Sequence, residues 1–451
     1  MTRFGYVLRL SAAAVASAGA LMFLGSAISS ADTNHGTTAG SARPSTSAAN
    51  SPRATVPRLH RAGPAAPARR TTLTTKAIET RKPAAAGRSA RSATEASSTP
   101  SVDTSKADVP YTNWAADQQL FTGRPSLLNR LFNLVLWGLE QVSTHATLMP
   151  APTVFNQESP PWYSTVGLTV SRADVNGMPV YTLAPPTPSG DYVVALHGGG
   201  YVSQPLVFEW LANGAIARQT GATVVVPMYP LAGQGGTAAT VVPAVADLLS
   251  ALVDVHGADH VSLTGASAGG GLALAATQEL VRRGAATPGR IVLISPWLDA
   301  SVSDPASGLI WDPLLDVRQL QTFGLAWANG LDLTDPRASP LYGSLDGLPP
   351  IAVYSGSRDL LAPDTLRLRQ RAITQGLDMT FVLRDGQFHG WPLFLPLPDA
   401  VSSLRTIEQQ LGIAATGATH TGHGPGRDEL RITCPTGPWF ATVRREESER
   451  S

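Results

Sequence analysis

The chain has 451 residues, of which 43% are hydrophobic, and it carries a formal net charge of +1. This hydrophobic content can build a sizeable core, whereas the single cysteine excludes an intrachain disulfide as a source of stability. From residue 109 onward there are 28 acidic and 20 basic residues. That balance excludes a typical nucleic-acid-binding protein, because such proteins concentrate positive charge.

Residues 1–31 have the pattern of an export signal. Arg3 and Arg9 precede an apolar run, "LSAAAVASAGALMFLGSAIS", and the small residues that end at Ala31 permit cleavage after it. The sequence therefore predicts an exported protein, secreted or associated with the cell envelope. Both a cleaved signal and a retained anchor fit the run, because serine and glycine dilute its apolar character.

Residues 32–108 are rich in Ala, Pro, Ser, Thr and Arg and contain 12 basic but only 5 acidic residues. A segment with so few large apolar side chains cannot offset its ordering entropy, so it is predicted to be a disordered spacer. It would be a solvated tether or, because it is basic, would associate weakly with an anionic envelope surface. Residues 414–451 are similarly predicted to be a flexible tail.

The body, residues 109–413, alternates short apolar runs with helical segments. An amphipathic pattern at 127–142 predicts a helix, and Asn176-Gly177 predicts the turn of a hairpin. The apolar runs that follow are "DYVVALH", "ATVVVPMY", "HVSLTG", "RIVLIS", "PIAVYSG" and "DMTFVLR". Helices are predicted between several of these runs, at 237–256, 268–284 and 364–376. This alternation predicts an α/β fold with a mostly parallel central sheet and helices on both faces.

The stretch from Asp299 to Pro340 is too long for a simple crossover between two strands. It is predicted to be an insertion that carries its own helix near Val317 to Ala328.

Chemistry in such sheets collects at the carboxyl ends of the strands. His197-Gly198-Gly199-Gly200 follows the first parallel run, Ser267 the third, Asp359 the fifth, and His389 the last. Four strand ends thus supply an anion-binding loop, a nucleophile, an acid and a base.

Ser267 lies in "GASAG", a G-x-S-x-G pattern between an apolar strand and an alanine-rich helix. Flanking glycines allow a sharp turn that lifts the hydroxyl clear of the sheet, as a nucleophile requires. The alternative is a helix N-cap serine. In the chain order of such enzymes the histidine follows the serine and the acid, which leaves His389, His420 and His423. His420 and His423 lie in the loose tail, so His389, in "GQFHGWP", is the candidate base.

Asp359, in "SGSRDLLAPD", is the candidate carboxylate that would hold the imidazole tautomer. Asp299 and Asp364 compete for this role, although Asp364 is also placed to cap the next helix.

The triple glycine would let backbone N–H groups approach a developing oxyanion, joined by the N–H of Ala268 at a helix N-terminus. His197 and Gly198 would support this loop, with His197 as a hydrogen-bonding residue rather than a second base.

At these residues the chain resembles the hormone-sensitive-lipase branch of the α/β hydrolases, which includes bacterial carboxylesterases and acetyl hydrolases. The similarity covers roughly residues 160 to 412. Its motifs, in the family's order, are "LHGGGY", "VVVPMYPLA", "GASAGGGLAL", "ISPWLD", "SPLYG", "GSRDLLAPD" and "FHGW". Two positions depart from the family pattern: Ala266 replaces the usual Asp before the serine, and Gly233-Gln234 replaces Pro-Glu.

The resemblance implies an α/β-hydrolase fold with a helical cap formed by residues 109–160 and 299–340. It implies a catalytic triad and a set of oxyanion donors: Ser267, Asp359 and His389, with Gly199, Gly200 and Ala268.

The expected activity is that of a serine carboxylester hydrolase that forms an acyl-enzyme from a small-molecule or lipid ester, without metal or organic cofactor. The alternatives are an amidase or acyltransferase with the same triad, or a catalytically silent binding module on a hydrolase scaffold. Bulky side chains over the site, Tyr201, Trp311, Phe323 and Trp327, predict a closed pocket that prefers short to medium acyl chains.

Overall fold

A computed structural model describes residues 109–142, 155–413 and 430–431, with only the backbone described at 139–142 and 430–431. The predictions for residues 1–31, 32–108 and most of 414–451 lie outside this part of the chain. Within it is one nine-stranded sheet. Its strands are β1 (Thr169–Val175), β2 (Met178–Ala184), β3 (Tyr192–Leu196), β4 (Thr223–Pro227), β5 (Val261–Ala266), β6 (Arg290–Ile294), β7 (Ile351–Arg358), β8 (Met379–Phe388) and β9 (Leu430–Arg431).

The strand order is β1-β2-β4-β3-β5-β6-β7-β8-β9. The six strands β3 to β8 form the parallel centre. Strands β1 and β2 form an antiparallel hairpin at one edge, where β2 pairs antiparallel with β4. Asn176 and Gly177, with φ of 54° and 82°, make its turn as predicted. At the other edge β9 pairs antiparallel with β8, so the predicted flexible tail contains at least this short strand.

In the described ranges seven helices accompany the sheet: α1 (Leu127–Val142), α2 (Val207–Thr220), α3 (Ala238–His256), α4 (Ala268–Arg282), α5 (Val317–Ala328), α6 (Ala362–Gln375) and α7 (Pro398–Gln410). A single helical turn lies at Trp114–Asp117, and short 3-10 turns lie at Gln118–Leu120, Trp162–Ser164, Ala258–His260, Pro305–Leu309, Pro340–Tyr342 and Trp391–Leu393. The predicted helices and parallel strands are therefore confirmed, with ends that differ by a few residues.

Two apolar cores cover the two faces of the sheet. Buried side chains of α3, α4 and α6 form one core with one set of strand residues, and Leu320 and Trp327 of α5 join it. Side chains of α2 and α7 form the second core with the alternate strand residues. Because both faces are covered, the central strands consist of almost continuous Val, Ile and Leu, which explains the apolar runs in the sequence.

Helix α1 lies beside the carboxyl end of β8. The Asn133 side chain donates to the Gly386 carbonyl at 2.8 Å, and the Asn129 amide donates to Oε1 of Gln387 at 3.3 Å. The preceding segment contacts the insertion, because the Thr112 N–H donates to Oδ2 of Asp304 at 2.8 Å. Parts of both segments expected to form a cap are thus held near the strand ends where reactive side chains were predicted.

Candidate active site

Ser267 lies on the turn between β5 and α4, with φ of 54° and ψ of −120°. A non-glycine residue rarely adopts this backbone conformation, and such strain concentrates at functional sites. The residue does occupy the N-cap position of α4, but its side chain makes no capping hydrogen bond. The N-cap interpretation therefore accounts for its position in the chain and not for the use of its hydroxyl.

The glycines that flank Ser267 are required by close backbone approaches. A Cβ on Gly265 would lie 2.2 Å from the Gly269 carbonyl oxygen, and a Cβ on Gly269 would lie 2.1 Å from that of Leu196. Side chains at these positions would separate the turn from α4 and from the end of β3. The G-x-S-x-G pattern therefore reflects packing of the turn as well as its curvature.

Asp359 and His389 form a hydrogen bond at the ends of β7 and β8. The His389 Nδ1 atom lies 3.0 Å from Oδ1 of Asp359, which also accepts the Leu361 N–H at 3.0 Å. Burial alone would lower the pKa of His389, but the charge and hydrogen bond of Asp359 raise it above its ordinary value. This bond leaves Nε2 of the imidazole as the nitrogen that can accept a proton.

Backbone contacts connect the histidine with the serine turn. The Gly390 N–H donates to Oγ of Ser295 at 2.9 Å, directly after the histidine. The Ser267 N–H donates to the neighbouring Ile294 carbonyl at 2.9 Å. The carboxyl end of β6 therefore lies between the two segments and fixes both.

Asp299 and Asp364 belong to a different buried network. Asp299 accepts hydrogen bonds from the N–H and hydroxyl groups of Ser301 and Ser303. Asp364 lies within the first turn of α6, where it pairs with Nη1 of Arg367 at 2.9 Å. The prediction that Asp364 caps this helix is wrong, because the N-cap residue is Leu361.

Neither carboxylate reaches His389 among the hydrogen bonds of the described residues. His420 and His423 lie outside the described part of the chain.

The glycine loop after β3 adopts positive φ angles, 98° at Gly199 and 63° at Gly200. A Cβ on Gly199 would lie 2.5 Å from the Ser203 carbonyl oxygen, and one on Gly198 would lie 3.3 Å from Cβ of Ser267. The loop thus lies against the serine. Ala268 is the first residue of α4, so its N–H has no acceptor within the helix and is available there.

His197 supports this loop through a hydrogen bond and a ring contact. Its ring stacks on Tyr229 with 4.1 Å between centroids, and its Nδ1 donates to the Gly198 carbonyl at 2.8 Å. Burial lowers the pKa of His197 to about 4, so the ring is neutral at pH 7. A neutral, stacked and hydrogen-bonded imidazole fits the predicted structural role.

Glu209 is a contributor to the site that sequence reasoning missed. Its Oε1 accepts the Gly198 N–H at 2.6 Å and its Oε2 accepts the Leu206 N–H at 2.7 Å. Burial raises the pKa of this carboxyl group to about 7. The available signal was its place three residues after the N-cap of α2, where a glutamate reaches back to backbone donors.

Asp312, in the insertion, was also missed. One ligating atom from each of Asp312, Asp359 and His389 lies within 4.8 Å of the other two. Asp312 accepts N–H groups of Leu314 and Leu315 at Oδ1 and of Leu360 at Oδ2. Since Nδ1 of His389 and the Asp312 oxygens already serve hydrogen bonds, this donor set is built for hydrogen bonding rather than for a metal.

The predicted pocket walls are only partly where the sequence placed them. The Tyr201 ring stacks on Trp327 at 3.8 Å between centroids, and both side chains are buried in the core. The expectation that these two narrow the acyl space is therefore wrong.

Phe323 is half-buried, and its Cδ2 would lie 2.9 Å from a Cβ on Gly200, so it covers the glycine loop. Trp311 is half-buried, with the guanidinium of Arg358 5.4 Å from its ring centroid.

Comparisons with known proteins agree on the family. A family model for the alpha/beta hydrolase fold matches residues 193–393. A triacylglycerol lipase of Mycobacterium tuberculosis is 42% identical over 321 residues, covering 67% of this chain and 69% of the relative. An acetyl-hydrolase of Streptomyces hygroscopicus is 33% identical over 216 residues, covering 47% and 72%. A hormone-sensitive lipase from a metagenome library superposes with a TM-score of 0.51 at 25% identity, covering 55% of this chain and 86% of that structure.

Proposed function

The chain belongs to the hormone-sensitive-lipase-like branch of the α/β hydrolases and is a carboxylic-ester hydrolase, and on this premise we propose that Ser267, His389 and Asp359 form its catalytic triad. The observation that carries the assignment is the hydrogen bond between Asp359 and His389, next to a serine in a strained turn. The assignment is further supported by the β6 end, which contacts both the serine turn and the residue after the histidine.

In the proposed reaction Oγ of Ser267 attacks the ester carbonyl carbon while Nε2 of His389 takes the hydroxyl proton. The tetrahedral intermediate collapses, the C–O bond to the alcohol breaks, and the imidazolium gives its proton to the leaving alkoxide. Water then attacks the acyl-enzyme with the same imidazole as base, releasing the acid and restoring the serine. Asp359 stabilises the imidazolium without accepting a proton.

The oxyanion would be held by the N–H groups of Gly199, Gly200 and Ala268. This assignment is supported by the positive φ angles of both glycines and by the position of Ala268 at the start of α4. Each such donor in a dry site contributes about 3 kcal/mol to transition-state stabilisation. Glu209 would fix the loop by holding the Gly198 N–H.

For the substrate, we propose short to medium acyl esters. Phe323 over Gly200 would end the acyl space close to the oxyanion loop. Hydrophobic gain of about 0.8 kcal/mol per buried methylene would therefore stop after a few carbons. The relatives carry names as different as triacylglycerol lipase and acetyl-hydrolase. A chain-length series of p-nitrophenyl esters tests this proposal: kcat/KM should peak at about two to six carbons, and a profile still rising at long chains would contradict it.

We further propose export through residues 1–31, with residues 32–108 as a basic tether that associates weakly with an anionic envelope. The support is the sequence pattern alone: an apolar run after two arginines and an excess of basic residues. Cell fractionation of the full chain and of a chain that lacks residues 1–31 would test it. Retention of the full chain in the cytoplasm would contradict export.

A further inference from the structure

Asp312 places a second carboxyl group beside the pair formed by Asp359 and His389. It comes from the insertion between β6 and β7, whereas Asp359 follows β7 and His389 follows β8. Ligating atoms of all three lie within 4.8 Å of one another, and each of the three residues is buried. An ionisable side chain is not placed at this depth for packing alone, because burial of a carboxylate is costly without compensation.

The hydrogen bonds of Asp312 connect the insertion to the loop of the catalytic acid. Its Oδ1 accepts the Leu314 N–H at 2.8 Å, and its Oδ2 accepts the Leu360 N–H at 3.0 Å. Leu360 directly follows Asp359, so this bond fixes the backbone from which the acid projects. Among the described residues, Oδ2 of Asp359 is buried and has no hydrogen-bond partner. The acid is therefore oriented by the two hydrogen bonds at Oδ1, to His389 and Leu361, and by its backbone.

Three carboxyl groups face His389 from three different elements: Asp359 after β7, Asp312 from the insertion and Glu209 from α2. Burial opposes the protonated ring, and all three carboxyl groups favour it, so the pKa of His389 is raised overall. Burial and the charge of Asp359 in turn raise the pKa of Asp312, while His389 acts in the opposite sense. The guanidinium of Arg358 lies 5.4 Å from the ring centroid of Trp311, the residue before Asp312.

We propose that Asp312 is a positioning residue for ester hydrolysis: it holds the Asp359 loop in place and presents a second carboxylate to the imidazolium that forms during acyl transfer. This rests on the proposed triad. When His389 takes the proton of Ser267, the cluster gains a positive charge in a buried site. Two carboxylates then stabilise that charge, and one of them is supplied by the insertion.

The test is the pH dependence of kcat/KM for Asp312→Asn in the full chain, normalised by active-site titration with a fluorophosphonate so that only competent protein is counted. We expect kcat to fall about tenfold, as for one lost charge-assisted hydrogen bond, with KM within about twofold. The low-pH limb of kcat/KM should move down by a few tenths of a pH unit, because the protonated ring loses a nearby carboxyl group that is only partly ionised there, its pKa being raised to about 7.

Asp304→Asn is the matched control. Asp304 is also a buried aspartate of the insertion and accepts a backbone N–H, that of Ala306. Asp304→Asn should lower the stability of the protein and leave the low-pH limb of kcat/KM at the same pH. Asp312→Ser keeps a short acceptor for the local turn without the charge, so it serves if the Asn variant does not fold.

An unmoved limb in the soluble Asp312 variant, or an equal shift in Asp304→Asn, would overturn the proposal. Failure of the triad itself would look different, because Ser267→Ala would then keep ester turnover or Asp359→Asn would keep most of kcat.

Discussion

Asp359 holds His389 in one orientation, with Oδ1 of the aspartate 3.0 Å from Nδ1 of the imidazole. The aspartate is 0% exposed, and the same oxygen accepts the Leu361 N–H. Because Nδ1 carries its proton toward the carboxylate, Nε2 is left unprotonated and faces away from the acid. The structure thus defines both the tautomer and the direction of the base.

Asp359→Asn should lower kcat about 10⁴-fold with little change in folding, because an amide favours the wrong imidazole tautomer. Steady-state kinetics on a p-nitrophenyl ester measures the loss. Asp299→Asn is the control: it weakens the network with Ser301, Ser303 and Arg367, so it should lower the melting temperature and keep most of kcat. If Asp299→Asn lost kcat and Asp359→Asn kept it, the catalytic acid would be Asp299 instead.

The pH dependence of the unaltered enzyme should report His389. The base must be neutral to act, and the pKa of His389 is raised above its ordinary value, so kcat/KM should fall on acidification with a midpoint above about pH 6.5. Rates over a range of pH, with melting temperatures at each pH, would separate titration from unfolding. A midpoint well below 6.5 in folded protein would contradict the surroundings described for this ring.

Glu209→Gln should lower kcat about tenfold and leave KM nearly unchanged. The amide can accept only one of the two N–H groups that the carboxylate holds, so either Gly198 or Leu206 loses a charge-assisted bond worth ~1.5–3 kcal/mol. Glu408→Gln, at a glutamate that is also 6% exposed, is the control for loss of a buried carboxyl group. Equal losses of kcat in the two variants would argue against a role for Glu209 in the loop.

Phe323→Ala should shift the preferred acyl length upward. The ratio of kcat/KM for a chain of about ten carbons to one of about four should rise about tenfold, as two more buried methylenes would give. Leu325→Ala changes an exposed side chain of the same helix and should leave the profile as it was. An unchanged ratio in Phe323→Ala would show that the acyl chain lies elsewhere.

The sequence predicted the sheet and the placement of Ser267, Asp359 and His389 at strand ends because these features depend on local patterns. Valine-rich runs, a glycine-bracketed serine and the order of strands along the chain are all visible in one dimension. The helix predicted at Val317 to Ala328 is observed within those bounds for the same reason.

Glu209, Asp312 and Tyr201 could not be placed in this way. The place of Glu209 three residues after the N-cap of α2 indicates only its contact with Leu206. No local pattern encodes its contact with Gly198, or the contact of Asp312 with Leu360, which is 48 residues away. Tyr201 follows the glycine loop in sequence, but its own φ of 63° accompanies a ring that stacks on Trp327 in the core instead of the acyl space. Side-chain direction at a strained turn is set by the packing around it.

The most direct test of Ser267 as the nucleophile is covalent labelling of the full chain with a fluorophosphonate, with the modified residue located by mass spectrometry. We expect one label per chain, on Ser267, with loss of ester turnover in proportion to labelling. Ser267→Ala should fold normally, take no label and lose at least about 10⁴-fold in kcat. A label on another residue, or normal turnover by Ser267→Ala, would contradict the assignment of Ser267 as the nucleophile.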